Sequence, residues 1–182
     1  MRKKYRVKRH AVTQPSDPSY KIIPLTKGQN AIVDAVDYDF LNRWNWCAIR
    51  FKTSRSFYAK RGLHSGESIL MHRVILGCKP GEEGDHWNHN TLDNRRENLR
   101  KCTHEENQRN MKMRKDNTSG FKGIVWDKRT GKWAVRVGFK SAKNGYKWVG
   151  RFSSRQEAAR AYDEAAKKYH KQFAHLNFPP PS

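Results

Sequence analysis

The sequence predicts an α+β protein in two parts, and three observations lead there. Short β-branched and aromatic runs, separated by turn clusters rich in Gly, Asn and Lys, recur in both halves. Two capping-box signatures, Thr103-x-x-Glu106 and Ser154-x-x-Glu157, each announce a helix. Between the halves the pattern breaks at residues 111–117, MKMRKDN, a polar and basic connector. We therefore place a basic flexible arm at 1–19, a first domain at 20–111, a linker at 112–117 and a second domain at 118–178.

Charge bounds the partners. The 182 residues hold 38 Lys and Arg against 17 Asp and Glu, a formal net charge of +21. So large a surplus points to a polyanion, because each neutralised phosphate releases counterions. Packing of nucleic acid in a ribosomal or histone-like way fits the charge equally. Six Trp and 12% aromatic residues weigh against it, since such a chain can fill real cores. Cys47, Cys78 and Cys102 stand far apart without a C-x-x-C pair, as free thiols of a reducing compartment do. No run approaches the roughly 20 apolar residues of a membrane span. The basic start MRKKYRVKRH lacks a following apolar run, so it reads as an arm that grips phosphates and not as a secretory signal. A cytoplasmic protein without a membrane partner is expected.

Taken in order, residues 21–36 hold two strands, IIPL and AIVDAV, about a turn at 27–30. Residues 37–46 suit a short helix with Phe40, Leu41, Trp44 and Trp46 inward. Residues 51–60 and 68–76 read as further strands around a turn at 64–67. Trp44, Trp46, Phe57 and Tyr58 are core or platform residues. A Lys79-Pro80-Gly81 turn delivers Asp85-His86, and a loop follows with Asn88, His89, Asn90, Asp93 and Asn94. That density of Asn and Asp suits a tight loop, whose side chains cap their own backbone. The helix opened by Thr103 presents Asn107 in its first turns.

Beyond the connector, residues 121–127 and 132–140 form a hairpin about Lys128-Arg129-Thr130-Gly131. Trp133, Val135, Val137 and Phe139 lie on one face, with Arg136 and Lys140 on the other. A third strand covers 146–152. The helix after Ser154 lays Ala158, Ala161, Tyr162, Ala165 and Tyr169 on this sheet. One sheet face is left for a partner. Trp133, Phe139, Phe152 and Tyr162 are read as core.

The stretch from Asp85 to Asn107 concentrates the chemistry. Asp85 offers a carboxylate oxygen and Asn107 an amide oxygen, both hard donors for Mg²⁺ or Mn²⁺. His86 points to the opposite face of its strand from Asp85 and so need not be a ligand. An imidazole can take a proton from water at neutral pH. Asn98 either holds the loop or orients the His86 ring. Such a set suits metal-assisted hydrolysis of a phosphodiester.

HRVILG, DHWNHNTLDNRRENLR and THEENQRN together resemble the ββα-metal motif of HNH-type homing endonucleases. The resemblance implies His86 as general base, Asn98 as a structural residue, and Asp85 with Asn107 as ligands of one divalent metal. Asn107 stands where many members have His, which favours Mg²⁺ (or Mn²⁺) over zinc or nickel. His72-Arg73 matches a recurrent pair, with support of the fold as the role of His72 and a phosphate contact open to Arg73. His89 and His104 are alternatives for the metal or the base, disfavoured because they fall outside the motif.

NTSGFKGIVWDKRTGKW, WVGRFSSRQEAARAYDEAAKKYH and LNFP resemble the Apetala-2-type (ethylene-response-factor) DNA-binding domain. That likeness implies a three-stranded sheet in the major groove with the helix behind it. Lys122, Trp126, Lys128, Arg136, Tyr146 and Trp148 would then face double-stranded DNA. The strands are less arginine-rich than those of plant members, so no target sequence carries over. Together the resemblances imply a site-specific, metal-dependent DNA endonuclease that leaves 5′-phosphate and 3′-hydroxyl ends. One motif per chain implies one nick per monomer, and both a monomer and a homodimer remain open. A non-catalytic, sequence-specific DNA-binding regulator on an inactive nuclease scaffold is the alternative.

Overall fold

The computed structural model describes residues 9–51, 56–111, 113 and 116–179. Most of the basic start expected to grip phosphates, residues 1–8, lies outside them, as do residues 112, 114 and 115 of the expected linker. The chain divides into two compact units, 1–103 and 104–182.

In the first unit, β1 (Tyr20–Pro24) and β2 (Asn30–Asp34) form the expected antiparallel hairpin. Its turn carries Lys27 and Gly28 at positive φ, the conformation that tight hairpin turns demand. Ile23, Leu25, Ala31 and Val33 are fully buried beneath it. Helix α1 (Ala35–Asn42) starts earlier and stops earlier than the sequence suggests. Leu41 and Trp46 are inward as expected, and the Trp46 Nε1–H donates to the Leu41 carbonyl at 2.8 Å, satisfying a helix-end acceptor. Phe40 is instead half exposed, because a helix of two turns buries only one narrow stripe.

A three-stranded antiparallel sheet follows, ordered β3 (Cys47–Arg50), β4 (Phe57–Gly62) and β5 (Ser68–Leu70). The sequence reading missed β3 and ran β5 too far. From Met71 the chain turns instead into helix α2 (Met71–Leu76). Met71, His72 and Ile75 are buried, a helical spacing that so short an apolar run does not distinguish from a strand. Gly77 ends the helix at φ 59°, and the amides of Gly77 and Cys78 return to the carbonyls of Val74 and Arg73. The chain then enters the two-stranded sheet of β6 (Glu83–His86) and β7 (Leu99–Cys102), paired Asp85 to Arg100 and His86 to Leu99.

The second unit begins with α3 (His104–Asn110), where the capping box predicts a helix. Strands β8 (Ile124–Asp127), β9 (Lys132–Gly138) and β10 (Tyr146–Phe152) form the expected antiparallel sheet, with β9 central. Helix α4 (Arg155–His170) lies across it, and the Ser154 side chain accepts from the Glu157 amide as the capping box requires. The core joins Ile124, Val135 and Val137 to Ala158, Ala159, Tyr162 and Ala166. Ala159 and Ala166 are fully buried, whereas the expected Ala165 and Tyr169 are only half-buried. The buried stripe is therefore turned slightly from the one read off the sequence. Asp163 accepts from the amides of Asn177 and Phe178 at 2.8 Å, pinning the last described segment back on the domain.

Candidate active site and nucleic-acid interface

The β6–β7 hairpin and its loop are built to hold shape. Asn98, on a 3-10 turn (Arg96–Asn98), is 4% exposed. Its Nδ2 donates to the Asp93 carbonyl at 2.7 Å, and its Oδ1 accepts from the Asn88 amide at 2.9 Å. Asn98 thus staples the two sides of the loop, which is the first of the two roles the sequence left open to it. The Asp93 carboxylate takes both the Nε and a terminal nitrogen of Arg95, at 2.9 and 2.8 Å. Backbone bonds of Ile32 to Leu92 and Asn94 fasten the same loop to β2.

Within that frame His86 is almost wholly buried. Its Nε2 lies 3.3 Å from the Oδ1 of Asn94, a residue the sequence reading left among the loop formers. Asn94 is oriented by its own Nδ2, which donates to the Leu92 carbonyl at 3.1 Å. An amide so turned presents its oxygen to the ring. The proton of a neutral His86 then sits on Nε2, and Nδ1 keeps the lone pair. Burial pulls the His86 pKa down, only partly offset by the Asn94 bond and the charges of Asp85 and Asp93. The imidazole is neutral at physiological pH and so able to accept a proton.

His72 from α2 packs edge-on against His86, with ring centroids 4.8 Å apart. Tyr58 of β4 stands 6.2 Å from the His72 ring and 6.1 Å from that of His86. Burial, then the neighbouring charges of His86 and Arg73, push the His72 pKa down to about 3. The approach is close: a Cβ at Gly84 would lie 2.5 Å from the His72 ring and 2.9 Å from Leu76. Arg73 turns to the backbone, donating to the carbonyls of Glu82 and Lys79, and so shapes the turn that feeds β6.

Asp85 is buried opposite Arg100, whose Nε and a terminal nitrogen reach its Oδ2 at 2.8 and 2.7 Å. Register alone makes this pair, and Arg100 was not singled out from sequence. Asn107 lies on α3, in the second unit. Among the described residues, no group of three or more His, Cys, Asp or Glu is placed to hold a metal. The donors the sequence nominates are one carboxylate and one amide. Such a set suits a hard cation that keeps several waters and also takes phosphate oxygens.

The open face of the second unit's sheet gathers a different set. Trp148 pairs with Arg136 and Tyr146 with Gly138, so Tyr146, Trp148 and Arg136 share one face. The Arg136 guanidinium lies 5.0 Å from the Tyr146 ring centre. A β-bulge between Trp148 and Gly150 then shifts the phase of β10 and pairs Arg151 with Ala134. Arg151 therefore joins the open face, with its guanidinium 4.8 Å from the Trp148 ring centre. Strict alternation would have put it behind the sheet, which is why sequence reading passed over it. Asp127 accepts from Arg151 at 2.8 Å, and this bond chiefly holds its carboxyl at about 2. Val125 adds a half-exposed apolar patch.

Of the six residues expected at DNA, Arg136, Tyr146 and Trp148 share this face, and Lys128 stands exposed at the β8–β9 turn. Trp126 is half exposed but pairs with Trp133, and so takes the side of β8 opposite Val125, its ring 5.0 Å from that of Trp133. Lys122 turns inward. Its Nζ donates to the carbonyls of Arg109 at 2.7 Å and Met111 at 2.6 Å, and burial lowers its pKa to about 8.

Comparison with known proteins agrees with both halves. Residues 70–109 match the family model described as HNH endonuclease, and residues 119–172 match that of the AP2 domain. Dehydration-responsive element-binding protein 2C of Arabidopsis thaliana is 46% identical over 56 residues, 30% of this chain and 16% of that protein. Ethylene-responsive transcription factor ERN3 of Medicago truncatula is 43% identical over 61 residues, 34% of this chain and 25% of its own length. Protein 3.8 of Escherichia phage T7 is 43% identical over 53 residues, 29% of this chain and 44% of that protein. The chain thus spans less than half the length of each of these relatives. No solved structure matches it significantly. No described helix is long and apolar enough to cross a membrane.

Proposed function

From a chain that carries an HNH endonuclease domain at residues 70–109 and an AP2 DNA-binding domain at 119–172, we infer a site-directed DNA endonuclease that works with a divalent metal. The AP2 sheet selects the duplex through Arg136, Arg151, Tyr146 and Trp148, and the nuclease motif cuts one strand per monomer. Arg side chains can read guanine edges and the aromatic rings pack on sugars or thymine methyls. Asp85 and Asn107 would hold the metal, Mg²⁺ or Mn²⁺. When bound, it neutralises charge on the phosphate and on the departing 3′ oxygen.

The chain's own residues do the rest. His86 accepts the proton of a water at Nδ1 as that water's oxygen bonds to phosphorus. The bond from phosphorus to the 3′ oxygen breaks, and that oxygen takes a proton from solvent, leaving 5′-phosphate and 3′-hydroxyl ends. Asn94 holds the His86 ring in the tautomer that can do this, while Asn98 keeps the loop in place. The observation that carries the reading is His86 itself, buried, neutral and oriented by an amide that is itself fixed.

A non-catalytic DNA-binding regulator is the second reading, and the Arg100 guanidinium on Asp85 favours it, because that charge pair already neutralises the proposed ligand. Supercoiled plasmid bearing DNA from the native locus separates the two. Relaxed circles formed with Mg²⁺, absent with EDTA and absent for His86→Ala, support the enzyme. Tight binding by both proteins without any nicking supports the regulator and removes the enzyme.

A further inference from the structure

The helix that carries Asn107 is a poor structure by itself. α3 has the sequence HEENQRN, and only Asn110 of its seven residues is buried. A helix so short cannot persist on its own hydrogen bonds, and its last carbonyls have no partner within it. The second unit supplies what it lacks. Lys122 brings an ammonium to the carbonyls of Arg109 and Met111, where the helix ends and its dipole is negative. α3 also packs on the 3-10 turn Lys171–Phe173 that follows α4. Lys140 adds an ion pair to Glu105 at 2.8 Å, but it is 79% exposed and so contributes little. Lys122 is the half-buried anchor, and its amide is itself fixed by the Asn177 side chain at 2.7 Å.

We propose that Lys122 is a positioning residue for Asn107: the DNA-binding domain, through this one ammonium, sets the helix that bears a ligand of the nuclease. This rests on the nuclease reading above. It gives Lys122 a task other than the DNA contact that the resemblance to the Apetala-2-type domain implies. It also means that the final element of the cutting motif is ordered by the domain that chooses the site.

Lys122→Met keeps the length of the side chain and removes its donors, and Lys122→Arg restores a cation. Three measurements on the full chain decide the matter. In metal-free protein, amide exchange over residues 104–111 should quicken at least tenfold in Lys122→Met and recover toward wild type in Lys122→Arg. Duplex affinity in EDTA should stay within twofold of wild type. The Mg²⁺ concentration for half-maximal nicking should rise about tenfold, with the rate at saturating Mg²⁺ largely retained. Unchanged exchange, an unchanged Mg²⁺ requirement, or a fall in DNA affinity that accounts for the lost nicking each overturns the proposal while leaving the nuclease reading intact. A wild type that nicks at no Mg²⁺ concentration overturns both.

Discussion

Acid should loosen the first unit before its carboxylates begin to titrate, and His72 should be the main cause. In the folded chain its pKa is about 3, against 6.5 for the ordinary imidazole. Between those values the unfolded chain binds a proton that the folded chain refuses. The stability His72 contributes is therefore complete above pH 6.5 and is lost as pH falls toward 3. Each pH unit in that window costs about 1.4 kcal/mol per such group. By pH 4.5, relative to alkaline pH, His72 alone has removed roughly 2.7 kcal/mol, a large share of a typical domain's 5–15 kcal/mol. His86 is depressed in the same direction, again chiefly by burial, so it adds to the acid sensitivity of the unit. His72→Phe keeps a ring against His86 and Tyr58 and removes one titration. Amide exchange over residues 71–86, corrected for intrinsic rates, reads the opening free energy of α2 and β6 at each pH. The wild-type slope should exceed that of the variant by about 1.4 kcal/mol per pH unit, the part His72 supplies. Equal slopes would refute the reasoning, since they would mean that burial of the His72 ring does not exclude its proton.

Three further outcomes follow from contacts already described. Asn98→Ala strips the loop of two bonds and leaves the Asp93 carbonyl and Asn88 amide without that partner. It should destabilise the first unit by about 2–4 kcal/mol, read as a lower Tm, and abolish nicking along with the loop. Gly123→Ala places a Cβ 2.0 Å from the Tyr162 ring at a φ of +77°. The second unit should lose at least about 3 kcal/mol by denaturant titration, and a wild-type midpoint would contradict the packing. Arg136→Ala should weaken binding to the specific site by about 1–3 kcal/mol while leaving affinity for unrelated duplex nearly unchanged, as competition binding would show. An equal loss on all sequences would make it a phosphate contact.

What the sequence determined unaided is the local and periodic part of this protein. Hairpin turns, capping boxes and the alternation of β9 depend on neighbours within a few positions, so they survive without knowledge of the fold. The order of Asp85, His86, Asn98 and Asn107 was legible for the same reason: a motif is a spacing. The short apolar run at 68–76 was not, because its residues suit a strand or a helix equally until Gly77 and the packing of Met71, His72 and Ile75 choose. Nor were the partners that give the site its character. Arg100 meets Asp85 through strand register, Asn94 meets His86 through the fold of a loop, and Arg151 reaches the open face only because a bulge shifts β10 by one residue. Resemblance to the Apetala-2-type domain puts Lys122 at DNA, but it is drawn inward by carbonyls at the end of α3, more than ten residues away in sequence. Long-range electrostatics and close packing decide such contacts, and neither leaves a mark on the neighbouring letters.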